Sequence, residues 1–233
     1  MSSIATPREE PAADELPPLY DGQRLSQPEF HRLYERVPPK QWFELIDGVV
    51  HMAAAESHRH NRLAHFLGSL LFHYEVATPQ VDGVPGTTTI IDEKNEPEPD
   101  LQLRIRANFG GQTSVPASGY VTGAPELVIE VSYSTLNKDL RKKLPIYRDV
   151  GVQEYWVICV EAAVIRWFVW PEGERQIDAD GILRSITFPG LWIDSRALFE
   201  ERMVDLLSVL NEGLKTPEHA AFVAKLLSQA DHK

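Results

Sequence analysis

The sequence has little of what marks a secreted or membrane protein. Its single cysteine, Cys159, rules out an intrachain disulfide. Inside the apolar run at 157–160 that thiol reads as a small buried hydrophobe, and a reducing, cytoplasmic setting is expected. No apolar stretch approaches the ~20 residues a membrane-spanning helix needs, and no basic-then-apolar leader opens the chain. Positive charge is scarce too: 23 Lys and Arg stand against 34 Asp and Glu, a formal net charge of −11. That balance argues against a broad electrostatic hold on nucleic acid but leaves room for a local basic groove. Part of the excess is peripheral, since residues 1–20 read as an acidic, proline-rich disordered tail.

What remains is ordinary globular material, 43% hydrophobic and 24% charged over 233 residues, with no repeat and no long linker. That suits one sizeable domain. Ser26 and Glu29 form a capping-box pattern ahead of a short helix that Pro38-Pro39 stops. Residues 42–52 read as a hairpin turning at Asp47-Gly48, and 57–75 as a helix with apolar residues at three- and four-residue spacings. Strands are expected over 84–91 and 98–105, then a loop over 107–121. The most informative stretch follows: an apolar strand (126–132), a charged helix (138–149), and a second apolar strand ending at Val160. Strands over 164–170 and 182–188 are expected as antiparallel additions, joined by turns at Gly173 and Asp180-Gly181. Helices close the chain over 195–210 and from Thr216, with proline at the first helical position.

Within the strand 126–132 the side chains alternate, so Glu130 and Ser132 share a face with Val128. A carboxylate in so apolar a run is costly unless something offsets its desolvation. Asp100, which follows Pro99 at the head of strand 98–105, supplies a partner if the two strands lie side by side. Two carboxylates at one sheet edge suit a hard divalent cation, Mg²⁺ or Mn²⁺. The plain alternative is a turn residue and a structural ion pair. For Lys143 the plain reading is an exposed pair with Asp139, four residues earlier, worth a few tenths of a kcal/mol.

The order Pro99-Asp100, then Glu130-Val131-Ser132 about 30 residues on, resembles the PD-(D/E)XK nuclease superfamily, whose site combines an Asp after a Pro, an acid on the next strand and a lysine. Here Ser132 stands where that lysine is usual. Asp139, Lys143, Tyr147, Gly151-Val152 and Glu154-Tyr-Trp156 instead follow at the spacing of the Uma-type family of restriction-endonuclease-like proteins, in which the lysine has moved to the following helix. The resemblance runs over about 42–160, and more loosely through 188–192. It implies a restriction-endonuclease-like α/β fold. The mixed sheet would be flanked by helices, with an antiparallel β extension and C-terminal helices. The nuclease-like domain would span 21–195 and the helical extension 196–233.

It further implies Mg²⁺- or Mn²⁺-dependent hydrolysis of phosphodiester bonds, with DNA as partner and a homodimer as assembly. Asp100 and Glu130 become metal ligands and the catalytic set is Asp100, Glu130 and Lys143, with Lys142 as fallback because Pro145 interrupts the helix. Glu44, His60, Ser132 and Tyr147 are candidate lining residues. A zinc cluster of His58, His60 and His65 is disfavoured, since helix positions two apart diverge by about 200°. The aromatics around Trp167 and Trp170 read as packing rather than a base-stacking platform. A non-catalytic nuclease-fold protein acting in DNA binding or protein interaction is the alternative, favoured by Ser132, Pro145 and the acidic balance.

Overall fold

In a computed structural model that describes residues 17–39, 41–53 and 55–229, local signals set the first elements. All of the expected tail except 17–20 lies outside the described residues. The Ser26 amide and hydroxyl both donate to the Glu29 carboxylate, at 3.0 and 2.7 Å, at the head of α1 (Gln27–Tyr34). β1 (Phe43–Ile46) and β2 (Val49–Met52) pair antiparallel about Asp47 and Gly48. Both turn residues sit at positive φ, 50° and 70°, as a tight two-residue turn requires. Ser57 Oγ accepts from the His60 amide at 3.1 Å and caps α2 (His58–Ala77).

The single strand expected over 84–91 is two. β3 (Val81–Pro85) and β4 (Thr89–Ile90) are separated at Gly86, whose φ is +47° and whose amide donates to the Asp100 carbonyl. After β5 (Leu101–Ile105) the expected loop holds a 3₁₀ turn at Ala107–Phe109 and β6 (Val121–Thr122), which pairs with β4 in a small sheet of its own. β7 (Leu127–Ser132) follows, buried at every position.

The charged helix is broken in a specific way. α3 (Leu136–Lys138) runs into a π turn at Asp139–Lys143 and then α4 (Leu144–Val150). The Leu144 amide donates to the Asp139 carbonyl, five residues back. The wide turn ends just before Pro145, whose ring would clash with the Arg141 carbonyl in an unbroken α-helix.

β8 (Glu154–Cys159), β9 (Val164–Val169) and β10 (Gly173–Arg175) complete a six-stranded sheet in the order β10-β9-β8-β7-β5-β3. Only β7 and β8 are parallel within it, so the sheet is mixed with an antiparallel extension. β11 (Ile182–Arg184), expected as another addition, instead pairs with β12 (Trp192–Asp194) in a separate ribbon. The helix expected over 195–210 is also two, α5 (Ser195–Phe199) and α6 (Met203–Leu214), because Glu201 between them takes a positive φ of 56°. α7 (Pro217–Gln229) closes the described chain.

A strand pair apolar on both faces must be covered on both. On one face α2, α6 and α7 pack over Leu127, Ile129, Val131, Trp156 and Ile158. On the other, α4 places Tyr147 over Val128, Tyr155 and Val157. Among the described residues no helix is long and apolar enough to cross a membrane.

Candidate active site

β5 and β7 pair antiparallel with Leu101 opposite Ile129, so Asp100 comes opposite Glu130 at the end of the ladder. The Val131 amide fixes Asp100 by donating to Oδ2 at 2.6 Å, and His60 Nε2 reaches the same oxygen at 3.3 Å. Glu130 is held through one oxygen as well: Oε1 accepts from Lys143 Nζ at 2.8 Å and from the Tyr147 hydroxyl at 3.1 Å. Lys143, 2% exposed, also lies 2.5 Å from Glu44 Oε1. Glu44 Oε2 takes Lys138 at 2.6 Å, and its Oε1 accepts the Glu98 amide at 3.1 Å.

The π turn explains how two lysines reach one carboxylate. Lys138 and Lys143 are five residues apart, which in an α-helix turns them about 140° from each other. In a π turn, residues five apart stack, and both ammonium groups meet Glu44. Lys142, one residue earlier, is exposed.

Glu44, His60, Asp100, Glu130 and Lys143 all line one cleft of about 760 Å³. Tyr147 and Ser132 stand behind its wall. Tyr147 touches Glu130, and Ser132 Oγ donates to Asp139 Oδ2 at 2.6 Å. Of the three clustered histidines, His58 and His65 are exposed and only His60 lines the cleft. Two more acids stand at the cleft. Asp139, part of the family spacing and in the plain alternative an exposed partner of Lys143, is buried, lines the cleft and bonds Ser132 instead. Glu56 offers a ligand atom that, with His60 and Asp100, forms a group all within 4.8 Å of one another.

The electrostatics are those of a site with more acids than cations. Burial pushes Glu130 up to about 8, with Asp139, Asp100 and Glu44 adding to the rise and Lys143 opposing it. Burial would raise Glu44 as well, but Lys143 and Lys138 hold it down at about 2. Desolvation works against the Lys143 ammonium, yet Glu130, Glu44 and Asp139 hold its pKa well above the usual lysine range. His60 is likewise opposed by burial and raised by Asp100 to about 9. Burial and Glu130 together keep the Tyr147 phenol protonated, as a donor.

This donor set fits a hard divalent cation. Among the described residues, Asp100 and Glu130 each have one oxygen engaged in hydrogen bonds while the other accepts none. The engaged oxygens orient the groups, and the others remain for a ligand.

A family model described as "Putative restriction endonuclease" (Uma2) matches residues 27–196. No curated protein matches the chain. A crystal structure of a "putative nuclease belonging to DUF820" from Anabaena variabilis is similar at a TM-score of 0.59 and 14% identity, over 76% of this chain and 98% of that one. At that identity the likeness speaks for the fold, a nuclease fold. The family match spans most of the sequence, so the chain belongs to the Uma2 family of restriction-endonuclease-like proteins.

Proposed function

We propose that the protein is a divalent-metal-dependent endonuclease that hydrolyses phosphodiester bonds of DNA, working as a homodimer, with residues 21–195 as its nuclease domain and 196–233 as a helical extension. The observation that carries this reading is the Lys143 ammonium 2.8 Å from Glu130, supplied by the π turn where Ser132 offers no cation.

Asp100 and Glu130 would hold Mg²⁺ or Mn²⁺ through their unengaged oxygens. When bound, such an ion binds a phosphodiester oxygen, acidifies a water and offsets charge in the transition state. The residues around it have separate tasks. Lys143 stays charged between two carboxylates and can donate to a phosphate oxygen or orient the attacking water. Tyr147 and Lys143 fix the Glu130 carboxylate, while His60 and the Val131 amide fix Asp100. Glu44 holds Lys143 from the other side. The water oxygen bonds to phosphorus as the bond to the leaving alkoxide oxygen breaks; the water gives a proton up to solvent and the alkoxide takes one from it, leaving a phosphate and a free hydroxyl.

Incubating supercoiled plasmid with the protein and Mg²⁺ or Mn²⁺, beside Asp100→Ala, tests this. Nicking by the native protein alone is expected; equal nicking by both sinks the catalytic reading. The acidic balance of −11 and the serine at 132 favour a second reading, a nuclease-fold protein that binds DNA or a protein partner without cutting. It predicts no nicking, and DNA or partner binding unchanged by Asp100→Ala.

A further inference from the structure

Asp100 has neighbours that owe nothing to Glu130. Glu56, His60 and Asp100 line the same cleft, and each offers one ligand atom within 4.8 Å of the other two. Ser57, which lies between Glu56 and His60, caps α2 by taking the His60 amide at 3.1 Å. The first turn that carries the imidazole is thereby fixed.

The His60 side chain is all but buried, and its two nitrogens have different partners. Nδ1 lies 3.2 Å from Asn61 Oδ1, and Nε2 lies 3.3 Å from Asp100 Oδ2. Asn61 Oδ1 can only accept, so Nδ1 carries a proton and Nε2 is the nitrogen free to exchange its own for a cation. Metal-binding histidines have this arrangement, with the other ring nitrogen bonded to a partner behind it. The spacing agrees. A proton alone holds a charged N–H···O pair at about 2.7–2.9 Å, whereas adjacent ligands about 2.1 Å from one cation stand about 3.0–3.4 Å apart. The separation of 3.3 Å is of the second kind.

We propose that Glu56, His60 and Asp100 form a second cation site, selective for a divalent transition metal, beside the oxygen-only centre of Asp100 and Glu130. It deepens the reading proposed above and shares Asp100 with it, but draws on neither Glu130 nor Lys143. An imidazole nitrogen suits transition ions, while Mg²⁺ keeps to oxygen. Mg²⁺ would then fill the oxygen-only centre alone, and Mn²⁺ both. Glu56 is exposed, so its side chain is free to close on an ion while His60 and Asp100 stay in place.

Mn²⁺ titration of the full chain, followed by pulsed electron paramagnetic resonance, tests this, because a nitrogen bound to Mn²⁺ modulates its spin echo. The native protein should take up two Mn²⁺, one of them with nitrogen modulation, and excess Mg²⁺ should displace only the other. His60→Gln should lose the modulation and weaken that site by at least the roughly 100-fold that losing a partner behind a ligand can cost. Glu56→Gln, at an exposed position, should weaken it by about tenfold. Glu130→Gln should keep the nitrogen-coupled ion and lose the other. A native protein without nitrogen modulation overturns the inference. So does unchanged Mn²⁺ affinity in Glu56→Gln, which decides the matter should His60→Gln fail to fold. Loss of the modulation in Glu130→Gln means one shared centre and overturns it as well. Native Mn²⁺ uptake in Glu130→Gln, with the modulation intact, instead sinks the Asp100–Glu130 centre and leaves this site standing.

Discussion

Two glutamates buried in adjacent parallel strands, Glu130 on β7 and Glu154 on β8, show what burial of a charge does and does not signify. They lie on opposite faces of the sheet. Glu154 Oε1 accepts from the indoles of Trp156 and Trp167 at 2.7 and 2.8 Å, and Oε2 from the Ser185 hydroxyl and the Thr187 amide at 2.7 and 3.0 Å. That fills the roughly four acceptor sites of a carboxylate and ties the β11 region to the sheet. Among the described residues, Glu130 has both its donors on one oxygen, shares its only cation with Glu44, and faces a cleft. Unfilled valence, rather than burial, separates a candidate ligand from a structural clamp.

The largest expected effect comes from making the same change in both. Glu130→Gln should cut nicking on the order of 10³-fold, about 4 kcal/mol of transition-state stabilisation, while metal-free stability holds or rises. Glu154→Gln should do the reverse. An amide NH₂ among four donors costs about 2–3 kcal/mol and lowers the melting temperature by about 5–10 °C, with activity per folded molecule preserved. Melting curves and plasmid nicking on the two variants check this, and a pair that behaves alike would erase the distinction.

Much of this was legible in the sequence. The alternation over 126–132 put Glu130 and Ser132 on one face, and the run at 98–105 supplied Asp100 as a neighbour; the β5–β7 register places the two acids opposite each other. The same reasoning could not separate Glu130 from Glu154. Both are single acids in apolar strands, and what distinguishes them arrives from Trp167, Ser185 and Thr187, 13 to 33 residues on. Periodicity also gave no sign of the π turn, because Asp139 and Lys143 share a face in either helix type. The plain alternative, Asp139 as a surface partner of Lys143, therefore stayed open in the sequence, whereas the carboxylate bonds Ser132. The split of α5 from α6 and the separate β11–β12 ribbon were hidden for a similar reason, since tertiary partners decide both.

A middle-sized effect lies in pH, measured as melting temperature in EDTA. Glu130, raised to about 8, keeps its proton in the folded state where the unfolded chain has lost it. Its contribution is present below the ordinary glutamate range and is lost as pH climbs towards 8. His60, raised to about 9, adds stability below its unfolded value that is lost as pH rises through 9. Glu44, held at about 2, contributes above the ordinary range and loses that contribution as pH falls towards 2. The metal-free protein should therefore be most stable in mildly acidic buffer and soften towards pH 9. Glu130→Gln should flatten the alkaline limb, whereas Glu154→Gln should lower the whole curve without changing its shape. Mn²⁺ should raise the melting temperature more at pH 8 than at pH 5.5, because it competes with the proton on Glu130.

The smallest effect tests how the cleft face obtains its cations, a kind of partner that Glu154 lacks among the described residues. Pro145 forbids an unbroken α-helix after Arg141, and the π turn it tolerates stacks Lys138 and Lys143 on Glu44. Pro145→Ala removes the steric bar and restores a backbone donor, so the segment can close into a regular α-helix. Lys138 and Lys143 would then diverge by about 140°. Only one could stay on Glu44, and Lys143 would divide differently between Glu44 and Glu130. Metal-free stability should be unchanged or slightly higher, while nicking falls about tenfold, roughly 1.4 kcal/mol. A variant that melts higher and nicks at the native rate would reduce the wide turn to a local answer to a proline. One that melts higher and nicks more slowly would show that the turn, and not merely the lysine on it, equips this face of the sheet for chemistry.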